Sequence, residues 1–372
     1  MGPFPHDAPP AVISADNPAG TDGFAFVEFA HPEPEKLHAL FKLMGFSAVA
    51  RHRTNSSTLY RQGYIDYLVS VDPAGQAARF AAQHGPSVPS MGFRVVDARH
   101  AYERAVANGA EPYDSVDGAK TFDVPAVRGI GGSLLYFVDT YGDKGSAYDA
   151  EFTWLGERDP HPEGRGLFYI DHLTHNVHRG RMDVWTDFYK RIFNFRQIRY
   201  FDIEGKMTGL FSRALTSPDG RIRIPINESA DAKSQIEEYL HQYKGEGIQH
   251  IATGCRDIFQ SVEGLRGDGL PFMPAPPQTY YERVEGRLPG HGQDLARLRR
   301  LGILIDGEGV VEDREARILL QIFSANMVGP VFFEFIERKG DEGFGEGNFR
   351  ALFESIEEDQ IRRGVLTPDK AA

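Results

Sequence analysis

The feature of this 372-residue chain that most constrains its fold is an internal repeat. Three stretches of the second half, 171–195, 251–274 and 329–338, match in the same order the stretches 22–46, 91–114 and 131–140 of the first half. The first two pairs each read as a short apolar strand followed by an amphipathic helix. Three collinear matches indicate a duplication. We therefore expect two similar halves, each built from strand–helix–strand units.

The repeat also sets the expected domain boundaries. Residues 1–19 belong to a stretch with five prolines in the first twenty positions, and we expect a disordered tail that is not a signal peptide. The halves 20–155 and 167–345 are separated by a polar linker at 156–166 that is rich in proline and glycine. Apolar residues at helical spacing predict a C-terminal helix over 346–365.

Composition excludes several classes of partner. The formal net charge is −12, so no basic surface is available for nucleic acid. No apolar run reaches the ~18 residues that a membrane helix needs. The only cysteine, Cys255, excludes an intramolecular disulfide and a cysteine-rich zinc cluster. We expect a soluble cytoplasmic protein with no nucleic-acid or membrane partner.

Three ionisable residues interrupt apolar strands of the second half. His250 stands in "GEGIQHIATG", Glu334 stands in "GPVFFEFIERKG", and His172 stands near the start of "DHLTHNV". Aligning the two halves on their shared aspartates and glycines places these three residues opposite Gly23, Ser90 and Tyr136, with His172 opposite Gly23. A structural role common to both halves would have kept some of the three. The pattern favours a site in the second half only.

Two imidazoles and one carboxylate form the facial triad that suits non-haem Fe(II), with three positions left open for substrate and O2. Each residue also has an ordinary structural explanation. His172 can be a histidine bonded to backbone, His250 a satisfied core histidine, and Glu334 the partner of Arg338 in a buried salt bridge. His175 competes with His172 as a ligand, but strand alternation places it on the opposite face.

Several motifs of the second half resemble a known family. They are "DHLTHNV" (171–177), "GEGIQHIA" (245–252), "GPVFFEFIERKG" (329–340) and "GFGEGNFRALFESIE" (343–357). They resemble the 4-hydroxyphenylpyruvate dioxygenases of the bacterial type over 165–365, and the first half resembles the metal-free module of that family more loosely. The resemblance implies an α+β, duplicated vicinal-oxygen-chelate fold. Each half would contain paired βαβββ modules in an open mixed β-barrel, with a C-terminal gating helix.

The resemblance also implies site residues, a cofactor and partners. It makes His172, His250 and Glu334 the ligands of Fe(II). Polar residues at the reacting substrate would be Ser212, Asn227, Gln235 and Gln321. Further substrate-binding residues would be Gln249, Phe323, Phe332, Phe344, Asn348 and Phe349, although alternation along the strand predicts that Gln249 points away from His250. The partners would be 4-hydroxyphenylpyruvate and O2, and we expect a homo-oligomer, either a dimer or a tetramer.

The expected reaction gives homogentisate and CO2 in tyrosine and phenylalanine catabolism. One alternative uses the same substrate and metal but hydroxylates the benzylic carbon, as in hydroxymandelate synthase. Phenylalanine at 323, 332 and 344 favours attack on the ring. A second alternative is a non-catalytic protein that binds aromatic keto acids, and a third is an interaction protein without a cofactor.

Overall fold

Two mixed β-sheets of eight strands each form the body of the protein. The computed structural model describes residues 8–115, 118–204, 209–311, 314–345, 347–348, 361 and 363–364. The first sheet contains β1 (Thr21–Ala30), β2 (Ser47–His52), β3 (Thr58–Gln62), β4 (Ile65–Val69), β5 (Ser87–Val95), β6 (Ala126–Arg128), β7 (Leu134–Val138) and β8 (Phe152–Trp154). Its helices are α1 (Pro34–Leu43), α2 (Gln76–His84) and α3 (Ala98–Ala107).

The second sheet uses residues from 167 onward. Its strands are β9 (Leu167–Val177), β10 (Arg196–Glu204), β11 (Gly209–Thr216), β12 (Arg223–Ser229), β13 (Gly247–Cys255), β14 (Leu304–Glu308), β15 (Arg317–Phe323) and β16 (Phe332–Lys339). Its helices are α4 (Met182–Phe193), α5 (Gln235–Tyr243), α6 (Ile258–Gly267), α7 (Gln278–Glu282), α8 (Val284–Arg287) and α9 (Leu295–Leu301).

The predicted modules follow from strand order. The order is β6-β7-β5-β1-β4-β3-β2-β8 in the first sheet and β10-β11-β12-β9-β13-β16-β15-β14 in the second. In both, two modules join through the antiparallel pairing of their first strands, β1 with β5 and β9 with β13. Two modules are βαβββ as predicted, and the module that begins with β13 keeps this order of strands but has four helices, α6 to α9, before β14. The module that begins with β5 has only β6 and β7 after α3, and β8 instead extends the sheet beside β2.

The matching helices of the repeat begin in the same way. The carboxylate of Asp97 accepts a hydrogen bond from the backbone nitrogen of His100 at 2.8 Å, which caps α3. The carboxylate of Asp257 accepts one from the backbone nitrogen of Gln260 at 3.1 Å, which caps α6. Each cap satisfies a helix N–H group that has no partner within the helix.

Strand pairing corrects one of the predicted correspondences. In the second sheet, both His172 and Glu334 lie opposite Ala252. In the first sheet, both Phe26 and Tyr136 lie opposite Gly92. Tyr136 is therefore the counterpart of Glu334, as predicted, but the counterpart of His172 is Phe26 and the assignment to Gly23 was wrong. The bulges in β1 shift the register between the shared aspartate and the site, and a simple count does not detect them.

The two sheets differ in what fills the equivalent face. In the first half, a buried cluster that includes Phe26, Phe122, Tyr136 and Phe152 occupies it. Among the described residues of the second half, the corresponding apolar cluster has Leu304, Phe323 and Phe332 as its buried members. The rest of that face carries polar side chains, described below. The aromatic rings of Phe26 and Tyr136 thus occupy, in the first half, the strand positions that His172 and Glu334 occupy in the second.

The residues that precede β1 contact the folded body. Residues 8–20 form no helix or strand, but the side chain of Asn17 is buried and donates to the carbonyl of Thr21 at 2.9 Å. The end of the expected disordered tail is therefore attached to the folded body. Most of the predicted C-terminal helix at 346–365, including Phe349, lies outside the described residues. Among the helices that the structure describes, none is long and apolar enough to cross a membrane.

Candidate metal centre and its pocket

Three buried side chains from three adjacent strands converge in the second half. β9 carries His172, β13 carries His250 and β16 carries Glu334, and their candidate ligand atoms all lie within 4.8 Å of one another. Oε2 of Glu334 is 3.1 Å from Nε2 of His172 and 3.3 Å from Nε2 of His250. The strands lie side by side in the sheet, so residues distant in sequence meet on one face.

Each histidine turns its second nitrogen toward the side chain of the preceding residue. Nδ1 of His172 donates to Oδ1 of Asp171 at 2.9 Å, and Nδ1 of His250 donates to Oε1 of Gln249 at 3.0 Å. With Nδ1 bound in this way, Nε2 of each ring faces Glu334. Metal-bound histidines usually have such an acceptor on the other nitrogen, because it selects the tautomer and fixes the ring.

Two β-bulges explain how neighbours in sequence reach the same side. Ile170 pairs with Thr253 and His172 pairs with Ala252, so Asp171 is an extra residue in β9. Ile248 pairs with His175 and His250 pairs with Thr174, so Gln249 is an extra residue in β13. A bulge interrupts strict alternation and redirects side chains. The expectation that Gln249 points away from His250 was therefore wrong.

The charges of the cluster are coupled. Burial alone would raise the pKa of Glu334, but the two histidines lower it to about 2. Burial lowers the pKa of His250, whereas for His172 the nearby carboxylates of Glu334 and Asp171 outweigh burial and raise the pKa. Glu334 thus stays ionised, with histidines as its partners. A divalent cation that displaces protons from these groups matches this donor set.

Arg338 does not neutralise Glu334, contrary to the salt-bridge explanation considered for that residue. Its guanidinium binds Asp171 through Nε at 2.7 Å and Nη2 at 2.8 Å. Among the described residues, the basic groups within ion-pair distance of Glu334 are His172 and His250 alone. A buried carboxylate without a lysine or arginine partner is costly unless a cation compensates it.

His175 lies apart from this cluster. Its Nε2 bonds the hydroxyl of Tyr189 at 2.7 Å, and its ring is buried. Burial lowers the pKa of His175 to about 3. It behaves as a neutral core histidine, on the side of the strand that packs against α4.

Aromatic rings surround the cluster. The ring of Phe332 stacks on His250 with centroids 4.8 Å apart, and the ring of Phe344 meets His172 edge-on at 5.5 Å. Phe323 meets Phe332 edge-on at 6.2 Å. All three phenylalanines are buried. The walls that the sequence suggested for an aromatic substrate therefore lie next to the candidate ligands.

Polar groups near the cluster are only partly satisfied. Asn227 donates to Oε1 of Gln249 at 3.4 Å, while its own Oδ1 is buried and has no hydrogen-bond partner among the described residues. The same is true of the hydroxyl of Ser212, which lies opposite Asn227 in the sheet. Buried polar atoms usually have hydrogen bonds, so two unpaired ones in one place indicate a site that a ligand completes.

A second group of polar side chains, joined by hydrogen bonds, includes Gln321 on β15. Asn348 donates to Oε1 of Gln321 at 3.3 Å, and the hydroxyl of Tyr280 donates to Oδ1 of Asn348 at 2.6 Å. Gln235 is the first residue of α5 and is half-buried, and no hydrogen bond in the described part of the chain joins its side chain to these groups. The structure thus brings together most of the predicted polar residues but does not connect Gln235.

Sequence reasoning missed Asp171 and Thr174, and it considered Arg338 only as a partner of Glu334. Asp171 and Arg338 form the buried pair behind His172, and the hydroxyl of Thr174 lies 2.9 Å from Nε2 of His250, within hydrogen-bond distance. Thr174 shares a strand face with His172, and this alternation was the signal that could have found it. Asp171 had no such signal because only the bulge turns it inward.

Comparisons with known proteins agree with this site. A family model described as "Hydroxyphenylpyruvate dioxygenase, HPPD, N-terminal" matches residues 15–153. A 4-hydroxyphenylpyruvate dioxygenase from Pseudomonas sp. (strain P.J. 874) is 54% identical over 355 residues, which cover 95% of this chain and 99% of that protein. The chain belongs to the 4-hydroxyphenylpyruvate dioxygenase family.

Other matches extend the relationship. The model of the "Glyoxalase/Bleomycin resistance protein/Dioxygenase superfamily" matches residues 169–294, which carry His172 and His250. A protein named Hemolysin VllY from Vibrio vulnificus (strain CMCP6) is 57% identical, covering 95% of this chain and 99% of that protein. A solved fusion of a xylose isomerase-like TIM barrel with a 4-hydroxyphenylpyruvate dioxygenase has a TM-score of 0.77 at 30% identity, covering 94% of this chain and 53% of that one. The duplicated vicinal-oxygen-chelate fold and a dioxygenase family with a metal cofactor are thereby established for the chain.

Proposed function

We propose that this protein is an Fe(II)-dependent dioxygenase that converts 4-hydroxyphenylpyruvate and O2 to homogentisate and CO2. The observation that carries the proposal is the buried cluster of His172, His250 and Glu334, at strand positions where the first half has Phe26, Ser90 and Tyr136. The family supplies the substrate class, since its curated members are named for 4-hydroxyphenylpyruvate.

The donor set suits iron. His172, His250 and Glu334 would hold Fe(II), because two imidazoles and one carboxylate are the protein ligands typical of non-haem Fe(II) oxygenases. When bound, Fe(II) would supply the redox chemistry with O2 that oxidative decarboxylation and ring hydroxylation require. The keto acid is part of the substrate, so no separate 2-oxo acid is needed.

The protein would position the substrate. Phe323 and Phe332 flank the metal-facing region and are suited to hold the aromatic ring. The amides of Gln321 and Asn348 would bind the phenol as neutral partners. The hydroxyl of Ser212 and Oδ1 of Asn227 would bind polar atoms of the substrate, either before the reaction or while the substrate's side chain migrates on the ring.

The surroundings would also exclude water. Phe344 covers one side of His172, and the predicted helix that follows it, with Phe349, would close the pocket. A dry site protects the reactive state from side reactions. We also propose a cytoplasmic homo-oligomer; the buried, free Cys255, which fits a reducing compartment, supports the location.

The test is product analysis after aerobic turnover with Fe(II). Oxygen uptake and the products are measured by an electrode and by mass and retention, with chelated protein as the control. Homogentisate with one O2 consumed per product supports the proposal. Hydroxymandelate would indicate benzylic attack, and iron loading with substrate binding but without oxygen uptake would indicate a keto-acid binding protein. Either result overturns it.

A further inference from the structure

Asp171 is a buried carboxylate that the proposed reaction does not use. Its side chain is 0% exposed. Nε and Nη2 of Arg338 donate to its two oxygens at 2.7 and 2.8 Å. Arg223 donates at 3.3 Å and the hydroxyl of Tyr169 at 3.1 Å. With Nδ1 of His172, five donors meet this one carboxylate, so its position is strongly determined.

The bulge that places Asp171 also exists in the first half. There, Phe24 pairs with Phe93 and Phe26 pairs with Gly92, so Ala25 is the extra residue. Ala25 is thus the counterpart of Asp171, as Phe26 is of His172. The backbone feature is present in both halves, but the carboxylate occurs only beside the candidate ligand. The bulge itself therefore does not require a carboxylate, and the role of Asp171 is associated with His172.

Arg338 connects this carboxylate to the segment that precedes Phe344. Its Nη1 donates to the carbonyl of Asp341 at 3.2 Å and to that of Gly343 at 2.5 Å. The guanidinium of Arg338 therefore binds both Asp171, which accepts from His172, and the backbone next to Phe344, whose ring contacts His172. A guanidinium has five N–H donors in a rigid plane, so displacing one set of acceptors disturbs the other.

We infer that Asp171 and Arg338 form a positioning pair that holds His172 ready for the metal and couples metal binding to the conformation of residues 341–344. This inference rests on the metal site of the proposed function, but not on the identity of the substrate. By accepting from Nδ1, Asp171 directs the lone pair of Nε2 toward the metal. By binding the two carbonyls, Arg338 makes the ligand and the segment parts of one network.

Coupling of this kind is reciprocal. If the metal binds better when residues 341–344 are anchored, the bound metal must stabilise the anchored segment by the same factor. Metal affinity and exchange of the segment's amides are therefore two independent readouts. Neither requires turnover.

The first experiment measures metal affinity in Asp171→Asn by anaerobic titration with Co(II) or Fe(II) against a competing chelator. Asparagine keeps the size of the side chain but removes the charge that binds Arg338. We expect metal affinity to fall roughly 10–100-fold, the usual effect of changing such a partner. The double variant Asp171→Asn/Arg338→Gln removes both buried charges. It keeps the test valid if the single variant does not fold, and the same loss of affinity is expected.

The first half offers a matched control. Asp66 is buried and binds Arg61 in the same two-pronged way, at 2.5 and 3.0 Å, and in the described part of the chain its hydrogen bonds and ion pairs do not include a candidate ligand. Asp66→Asn should lower the thermal midpoint and leave metal affinity unchanged. Wild-type affinity in Asp171→Asn, or an equal loss in Asp66→Asn, would overturn the inference, because the pair would then be merely structural.

The second experiment measures hydrogen exchange of residues 341–345 with and without saturating Co(II). In the wild type, the metal should slow exchange of these amides. In Arg338→Lys, which keeps a positive charge for Asp171 but loses the planar donors, this response should largely disappear. A segment that ignores the metal in the wild type, or responds equally in the variant, contradicts the coupling.

The two proposals fail in different ways. A wild-type protein that binds one metal tightly but does not oxidise 4-hydroxyphenylpyruvate overturns the proposed function alone, since the affinity difference would still hold. A wild-type protein that binds no Fe(II) or Co(II) overturns both.

Discussion

For single residues, the ability of the candidate centre to bind a metal depends on which ring nitrogen of each histidine faces Glu334. Asp171 and Gln249 accept from the Nδ1 atoms, so both rings offer Nε2 to the same place. One acceptor is charged and the other is neutral. This asymmetry fits the raised pKa of His172, beside two carboxylates, and the lowered pKa of His250, where burial dominates.

Changing Glu334→Gln should abolish most metal binding, because an amide oxygen is a much weaker ligand than a carboxylate. A loss of roughly 100-fold or more is expected, since even an outer partner is worth 10–100-fold. Metal analysis and circular dichroism measure the two consequences, metal content and fold. Glu28→Gln is the control: Glu28 is a buried carboxylate of the first half that binds the hydroxyls of Ser70, Ser90 and Thr121. Full metal occupancy in Glu334→Gln would contradict the assignment.

His175 predicts a pH dependence of stability. Burial depresses its pKa to about 3, below the ordinary 6.5, so the unfolded chain binds a proton that the folded chain does not. Its contribution to stability is complete above pH 6.5 and is lost as the pH falls toward 3. Between pH 7.5 and 5.0 the loss should be about 2 kcal/mol.

The measurement is urea unfolding of metal-free wild type and His175→Gln at both pH values. Glutamine can still bond the hydroxyl of Tyr189 but does not titrate in this range. The variant should lose about 2 kcal/mol less free energy of unfolding than the wild type on acidification. Equal losses would show that His175 is not held neutral by the fold.

At the scale of elements, the segment after β16 closes the polar side of the pocket. Gly345 has φ +71°, and a Cβ atom there would lie 2.0 Å from Oε1 of Gln321. Gly345→Ala should therefore displace the amide that we assign to the phenol. We expect the KM for 4-hydroxyphenylpyruvate to rise about 10-fold, equivalent to about 1.4 kcal/mol, with metal content unchanged.

Gly340→Ala is the matched control in the same segment. Gly340 has a similar backbone, with φ +84°, but its nearest neighbour would be Cγ of Arg317 at 3.5 Å, an ordinary contact. Both variants bear the cost of a side chain at positive φ, roughly 1 kcal/mol. A KM that rises equally in both would assign the effect to strain in the segment rather than to Gln321.

At the scale of the whole molecule, the two halves share one core. The ring of Phe333 in β16 lies 6.1 Å from Phe29 and 6.0 Å from Tyr67, both in the first half. Phe93 of the first half meets Phe193 of α4 edge-on at 5.4 Å. The half without the metal cluster is thus an integral support for the half that carries it, and we expect the two to unfold together.

The two tryptophans of the chain test this cooperativity. Trp154 is in β8 of the first half and Trp185 is in α4 of the second. In Trp185→Phe the fluorescence reports the first half, and in Trp154→Phe it reports the second. In each variant, the fluorescence midpoint in urea should coincide with that of far-UV circular dichroism, which reports both halves. Separate midpoints would show that the halves are independent domains.

The sequence predicted much of this arrangement and missed specific parts for physical reasons. The repeat and the period of the strands singled out His172, His250 and Glu334, because an ionisable residue inside an apolar strand and a match between two halves can both be read from the order of residues alone. Bulges are not visible in such patterns, so Gln249 was expected to point away from the site and Asp171 was overlooked. Which carboxylate Arg338 binds depends on tertiary packing, and the closure of the pocket around Gln321 and Asn348 came from resemblance alone.

One iron per chain, held in the second half, should bind the keto acid. The most direct measurement is anaerobic titration with Fe(II) followed by 4-hydroxyphenylpyruvate, monitored by metal analysis and by the visible charge-transfer absorption of a keto acid bound to iron. We predict that the absorption saturates at one iron per chain in the wild type and is absent in Glu334→Gln. Two irons per chain, or undiminished absorption in Glu334→Gln, would contradict the account.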